Sequence, residues 1–233
     1  MKVRAFLRRT RTWLIAVPVL AFLLAVVAPY VYIHFIQGDP PAPLTFSSDG
    51  ESASSAGAAS SIDGTWTVSG SSEAGYRVAE VLFGQSTTAV GRTSDVTGEF
   101  VIDGTTIAIA SFEVDLTTVS SDESRRDGQF QNRIMDTSTY PTATFELTQP
   151  ITLDGVPDDL EEITVSATGN LTLHGVTKSV TFELTARRNG DTVELNGTIP
   201  VTFSDYGIDN PSGGPASVGD TGEIEFLLTL AHA

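Results

Sequence analysis

The stretch from Thr164 to Arg187, TVSATGNLTLHGVTKSVTFELTAR, constrains the fold more than any other. Val165, Ala167, Gly169, Leu171 and Leu173 alternate with Thr164, Ser166, Thr168, Asn170 and Thr172. On the second arm Val180, Phe182, Leu184 and Ala186 alternate with Ser179, Thr181, Glu183 and Thr185. A period of two places each apolar set on one face of a strand. Between the arms, His174-Gly175 supplies a pair able to take the backbone angles of a tight hairpin. A lone ribbon cannot bury its apolar face, so further strands must pair with it and cover it.

Those strands are legible on both sides. Thr65–Ser69, Gly75–Phe83 and Thr87–Gly91 come first. Val96–Ile102 then passes through Asp103-Gly104 into Thr105–Leu116. Thr142–Leu147 precedes the central hairpin, Asn189-Gly190 turns its second arm into a strand running through Phe203, and Gly222–Ala231 closes the chain. Dipeptides of the Asp-Gly and Asn-Gly type are strong hairpin signals. There is no alternation of strand and helix, so a parallel sheet is excluded and the class is all-β. An antiparallel set of this size closes as a barrel or pairs as a sandwich. The alternation aims Phe112, Val114, Phe145, Leu171, Phe182, Leu184, Val201, Phe203 and Phe226 inward. An eight-stranded barrel is just wide enough either to be filled by such side chains or to hold one slim ligand. The residues alone leave both open.

One segment breaks the rhythm. Asp122–Asp136, DESRRDGQFQNRIMD, reads as a short helix with Asp122 as a candidate cap, although Gly128 weakens it. Placed between strands, it would lie across a barrel mouth or flank. One of its Arg125, Arg126 and Arg133, with Arg126 and Arg133 the leading candidates, could hold an anionic head group there, against surface pairing with neighbouring carboxylates.

The N-terminus is organised differently. Five of the thirteen Lys and Arg precede Trp13, leaving eight basic residues against 29 acidic ones in the rest of the chain. Residues 1–12 read as a basic cytoplasmic end, and Trp13–Ile36 as one uncleaved transmembrane helix. The rival is a signal peptide cut between Ala42 and Ala59. Residues 37–63 are Pro-rich, then rich in Ser, Ala and Gly, and read as a flexible tether. Residues 64–233 form the β domain, expected outside the cell membrane.

An acidic domain does not bind nucleic acid through its phosphates. With no cysteine, thiolate metal sites, disulfides and cysteine nucleophiles are excluded. The histidines are His34, His174 and His232, none at metal-ligand spacing, and there is no nucleophile elbow or phosphate loop. No catalytic residue, metal or cofactor is therefore expected. His174 is a candidate general base or head-group ligand, against a purely structural turn role. The cluster Asp158-Asp159 with Glu161-Glu162 reads as a solvated loop, against a calcium site, and Asp209–Asp220 as a mobile lip of the barrel.

Four motifs in order carry a resemblance. Leu171–Val180 (LTLHGVTKSV), Thr118–Asp127 (TVSSDESRRD), Tyr140–Phe145 (YPTATF) and Ser204–Ile208 (SDYGI) resemble those of the YceI-like, polyisoprenoid-binding domain family. The resemblance covers residues 64–233. It implies an eight-stranded antiparallel, lipocalin-like barrel whose elongated apolar cavity holds an isoprenoid chain, head group towards the opening. Departures from the pattern occur at Ala74-Gly75-Tyr76, Gln129-Phe130 and Ile134-Met135-Asp136. The reading is a membrane-anchored, extracytoplasmic module for an isoprenoid-like lipid. The alternative is a filled barrel acting as an interaction domain of the cell envelope. A third option is an enzyme using His174 on bound lipid.

Overall fold

The computed structural model describes residues 17–31, 39–47, 62–214 and 216–233. The central hairpin forms as its alternation dictates. Strand β9 (Glu162–Leu173) and strand β10 (Val176–Asn189) pair antiparallel over their whole length, from Val176 opposite Leu173 to Arg187 opposite Glu162. His174 and Gly175 turn the chain with φ of 51° and 72°. Both angles lie in the left-handed region that this hairpin turn requires.

Around this ribbon the remaining strands close a ring. The earlier ones are β1 (Gly64–Val68), β2 (Glu73–Leu82), β3 (Gln85–Thr93), β4 (Val96–Asp103), β5 (Thr106–Asp115), β6 (Ser120–Ser121), β7 (Thr142–Leu147) and β8 (Ile151–Thr152). After the ribbon come β11 (Thr192–Thr202), β12 (Ala216–Val218) and β13 (Thr221–His232). The closed circuit runs β1–β4–β5–β7–β9–β10–β11–β13 and back to β1, an eight-stranded antiparallel barrel. Closure leaves no free edge in the circuit.

Two of the eight walls are composite. β2 continues β1 along β13, offset by residues 69–72. Ser72 bridges that gap: its hydroxyl accepts from the Thr229 amide and donates to the Thr229 carbonyl, at 3.0 and 3.3 Å. β3 likewise continues into β4, and β6 pairs with β3. One end of the barrel, the base, carries the Gly104-Thr105 and Gly190-Asp191 turns, each one residue later than its Asp-Gly or Asn-Gly signal. The other, the mouth, carries the Phe83-Gly84 and His174-Gly175 turns, the segment from Ser120 to Ile134, and the loop before β12.

The inward residues fill the base. Phe145 and Phe182 meet edge to face at 5.4 Å, Phe182 and Phe226 at 5.9 Å, and Phe100 lies 4.9 Å from Phe112. Leu171 and Leu184 are buried among them. Burial on this scale is the main stabilising term of the barrel.

Residues 17–31 are helical, with one wider turn over Leu23–Val27, and expose Val17, Leu20, Phe22 and Tyr30. Among the described residues no helix is long and apolar enough to cross a membrane. The rest of the expected span, residues 13–16 and 32–36, lies outside the described residues. Within the expected tether, residues 41–47 lie against the outer wall, and 37–38 and 48–61 lie outside the described residues.

Candidate lipid-binding cavity

Above the packed base the barrel is hollow. A cavity of about 730 Å³ opens at the mouth, within the size range of small-molecule sites. Its wall is mostly aliphatic and aromatic: Val78, Ala89, Val114, Leu116, Val119, Ala143, Leu173, Val201, Phe203, Ile208 and Ile224. Of the nine residues aimed inward by alternation, Val114, Val201 and Phe203 line this cavity. Phe112, Phe145, Leu171, Phe182, Leu184 and Phe226 do not line it and lie in the packed part of the barrel beneath. Alternation assigns a face of the wall but not a depth.

The segment Asp122–Asp136 crosses the mouth. Its helix covers Ser124–Gln129 and passes into a wider turn over Phe130–Ile134. The cap is Glu123 rather than Asp122: the Glu123 carboxylate accepts from the Arg125 amide at 3.2 Å. Asp122 instead accepts from Arg126. Asp127 ties the helix to β6 by accepting from the Ser121 amide and hydroxyl, at 2.8 and 2.6 Å. This geometry swings Phe130, Ile134 and Met135 into the cavity wall. Phe130 stacks on Tyr76 at 5.0 Å and 15°, a contact worth about 1 kcal/mol beyond burial. Tyr76 fits because β3 passes it with a glycine: a Cβ on Gly91 would stand 2.5 Å from the Tyr76 ring.

Charge is confined to the rim. Arg126 lines the cavity and donates to Glu80 at 3.3 Å as well as to Asp122. Burial works against its charge, but the two carboxylates more than offset that and hold it protonated. Burial also pushes the Tyr76 hydroxyl well above its ordinary value. Arg125, Gln129 and Glu123 stand on the same rim. The sequence offers Arg125 alongside Arg126; it does not single out Gln129, for which the available signal is its place three residues after Arg126 on one short helix.

The other two head-group candidates lie elsewhere. Arg133 donates to the Pro211 carbonyl at 2.7 Å and so joins the mouth helix to the Asp209–Asp220 loop. His174 sits in the turn, its Nδ1 3.2 Å from the Tyr206 carbonyl and its ring 4.6 Å from that of Tyr140. Neither is part of the cavity wall. The Tyr-Pro and Ser-Asp-Tyr-Gly motifs thus meet the His-Gly turn in space and brace it. The three places where the chain departs from the family pattern are different: Ala74-Gly75-Tyr76, Gln129-Phe130 and Ile134-Met135 all line the cavity.

Comparison with known proteins matches this architecture. A UPF0312 protein of Pseudomonas aeruginosa is 33% identical over 153 residues, covering 60% of this chain and 71% of that protein. A UPF0312 protein of Pseudomonas putida (strain W619) is 32% identical over 130 residues, 52% of this chain. The chain spans 64% of the length of that relative. Among solved structures, a polyisoprenoid binding domain from Saccharophagus degradans superposes with a TM-score of 0.58 at 18% identity. The match covers 72% of this chain and 98% of that one. BcnA of Burkholderia cenocepacia superposes with a TM-score of 0.52 at 20% identity, over 71% and 95%. At these identities the solved structures speak to the fold. Residues 60–230 match the model of the YceI-like domain, and the chain belongs to that family.

Proposed function

We propose that this protein is a membrane-anchored, extracytoplasmic lipid carrier that holds an isoprenoid-like or other long apolar chain in the mouth half of its barrel. The observation that carries the reading is the cavity of about 730 Å³, apolar along its wall and charged only at its rim. Such a slot suits a hydrocarbon chain, because apolar burial is non-directional and scales with area. The description of the Saccharophagus neighbour as a polyisoprenoid binding domain supports the same ligand class. The packed base sets the floor, so the chain enters from the mouth and leaves its head group beside Arg126, Arg125 and Gln129. For anchoring, the support is the uncharged run Trp13–Ile36 with five basic residues before it.

The reading assigns no catalytic step. His174, held between Tyr140 and the Tyr206 carbonyl, has a turn-bracing role. The test is native mass spectrometry of the full-length protein purified from a host rich in isoprenoids. A discrete added mass that extracts into organic solvent and fragments as a prenyl or acyl chain is expected. A clean apo mass that persists after incubation with prenyl lipids refutes the carrier reading and favours an interaction domain.

A further inference from the structure

The hairpin that joins β2 to β3 projects at the mouth and carries no charge. From Val81 to Gly91 there is no ionisable residue over eleven positions, in a chain of formal net charge −16. At the tip, Phe83 and Gly84 turn with φ of 51° and 80°. The first position of such a turn suits Asn, Asp or Gly, and a phenylalanine there is strained. The ring gains little burial in exchange: Phe83 is 49% and Val81 42% exposed. Phe83 and Leu82 stand on the rim of the cavity itself.

A second feature sets which way that rim faces. Residues 41–47 form a strap along the outer wall. The Pro41 carbonyl accepts from Arg77 at 2.8 Å and the Ala42 carbonyl from Arg92. Leu44 donates its amide to Glu225 at 3.3 Å and accepts from Asn196 at 2.8 Å. Phe46 lies under the Arg187 guanidinium at 4.5 Å. Arg77 lies opposite Glu223 in the strand register, near the mouth end of β13, whereas Arg187 lies in the row of Glu194 and Thr229 near the base. Pro41, the first strap residue bonded to the wall, therefore lies on the mouth side. Four residues separate Ile36 from Pro41, and the five steps between them reach roughly 17 Å at most. From Arg77 to Phe83 the hairpin extends about 20 Å towards that same side.

We infer that the Val81–Phe83 tip is a docking lip for the bilayer, an uncharged apolar point on an acidic domain that enters the head-group layer with the cavity mouth behind it. This rests on the anchored lipid-carrier reading above. The strap turns the mouth to the membrane and the lip closes the remaining distance, so that a chain passes between bilayer and cavity without crossing water.

The test uses the absence of cysteine. Full-length Phe83→Cys and Ile109→Cys are labelled with an environment-sensitive fluorophore and placed in phosphatidylcholine nanodiscs with spin-labelled lipid. Ile109 is a fair control, being 49% exposed and on β5 away from the mouth. The label at 83 should lose its emission to the lipid quencher while the label at 109 does not. Val81→Cys serves as a second reporter should the turn itself be disturbed. Equal, unquenched emission at both sites overturns the lip, as does a protein that fails to co-elute with the discs. A blue-shifted label at 83 that lipid does not quench but protein concentration alters also overturns it, in favour of a second copy. Lipid extracted from the same samples reads the cavity separately. An unquenched label on a loaded barrel refutes the lip alone, and a quenched label on a barrel that never loads refutes the cargo alone.

Discussion

Arg126 donates across the mouth to Glu80 at 3.3 Å, from the helix that covers the barrel to the strand that lines it. Their side chains are 16% and 8% exposed, so each charge depends on the other for what water would otherwise supply. Arg126→Ala should lower stability by about 1.5–3 kcal/mol, because Glu80 is left in an apolar wall without its partner. Adding Glu80→Ala should recover part of that loss. Urea denaturation of the two single variants and the double variant measures the coupling, and strict additivity would refute it.

The same pair sets head-group preference. With Asp122 and Glu80 both on Arg126, little positive charge is left over for an anionic ligand. Glu80→Gln frees part of it. That variant should retain more anionic-head lipid relative to uncharged lipid than the wild type, measured by extraction after exposure to an equimolar mixture. No change in the ratio would mean that Arg126 does not face the head group.

Depth along the barrel separates two kinds of filling substitution. Phe182 lies in the packed base between Phe145 and Phe226, so Phe182→Trp overpacks a closed core and should cost about 1–3 kcal/mol. Val201 faces the cavity, where Val201→Trp meets open space. It should cut bound lipid sharply at little cost in stability. Paired lipid extraction and urea midpoints distinguish the two, and an identical outcome at both sites would mean that the floor is misplaced.

Much of this barrel was legible because its signals are local. His174-Gly175 turns with positive φ at both residues, the Asp-Gly and Asn-Gly signals turn one residue late with positive φ at Gly104 and Gly190 alone, and the alternation of β9 and β10 names its buried face correctly. Phe83-Gly84 was not legible as a turn, since nothing about phenylalanine favours that conformation. The strap was hidden by composition: a Pro-, Ser- and Ala-rich stretch reads as tether, although Leu44 and Phe46 alternate within it and both are half-buried. Depth was illegible for a different reason. Phe145 and Val201 both point inward, and only the stagger between distant strands decides which lies in the plug and which in the cavity.

The plug also explains a glycine inside a strand. A Cβ on Gly169 would stand 2.4 Å from the Phe145 ring and 2.5 Å from the Glu146 carbonyl oxygen. The ring can shift, but the backbone oxygen belongs to the ladder between β7 and β9. Gly169→Ala should therefore destabilise by about 1–3 kcal/mol, whereas Gly155→Ala, with nothing within 4 Å of its Cβ, should be near neutral. Thermal unfolding of both variants checks this contrast.

Tyr76 gives the fold a limit on the alkaline side. Burial is the main cause that raises its hydroxyl; Asp127, Glu80 and Asp122 add to it, and Arg126 opposes. The unfolded phenol titrates near pH 10, the ordinary tyrosine value, and the folded one higher. Below that pH both states hold the proton and the contribution to stability is fully present. As pH rises further the unfolded state loses its proton first, so stability falls until the folded value is passed. Tyr206 is shifted in the same direction by burial and adds to the slope. Tyr76→Phe should flatten the alkaline limb of stability against pH without abolishing it. Urea midpoints taken across that limb, with tyrosinate absorbance followed in parallel, provide the measurement. A Tyr76 that ionises at the ordinary pH while the barrel remains folded would show that its hydroxyl faces water.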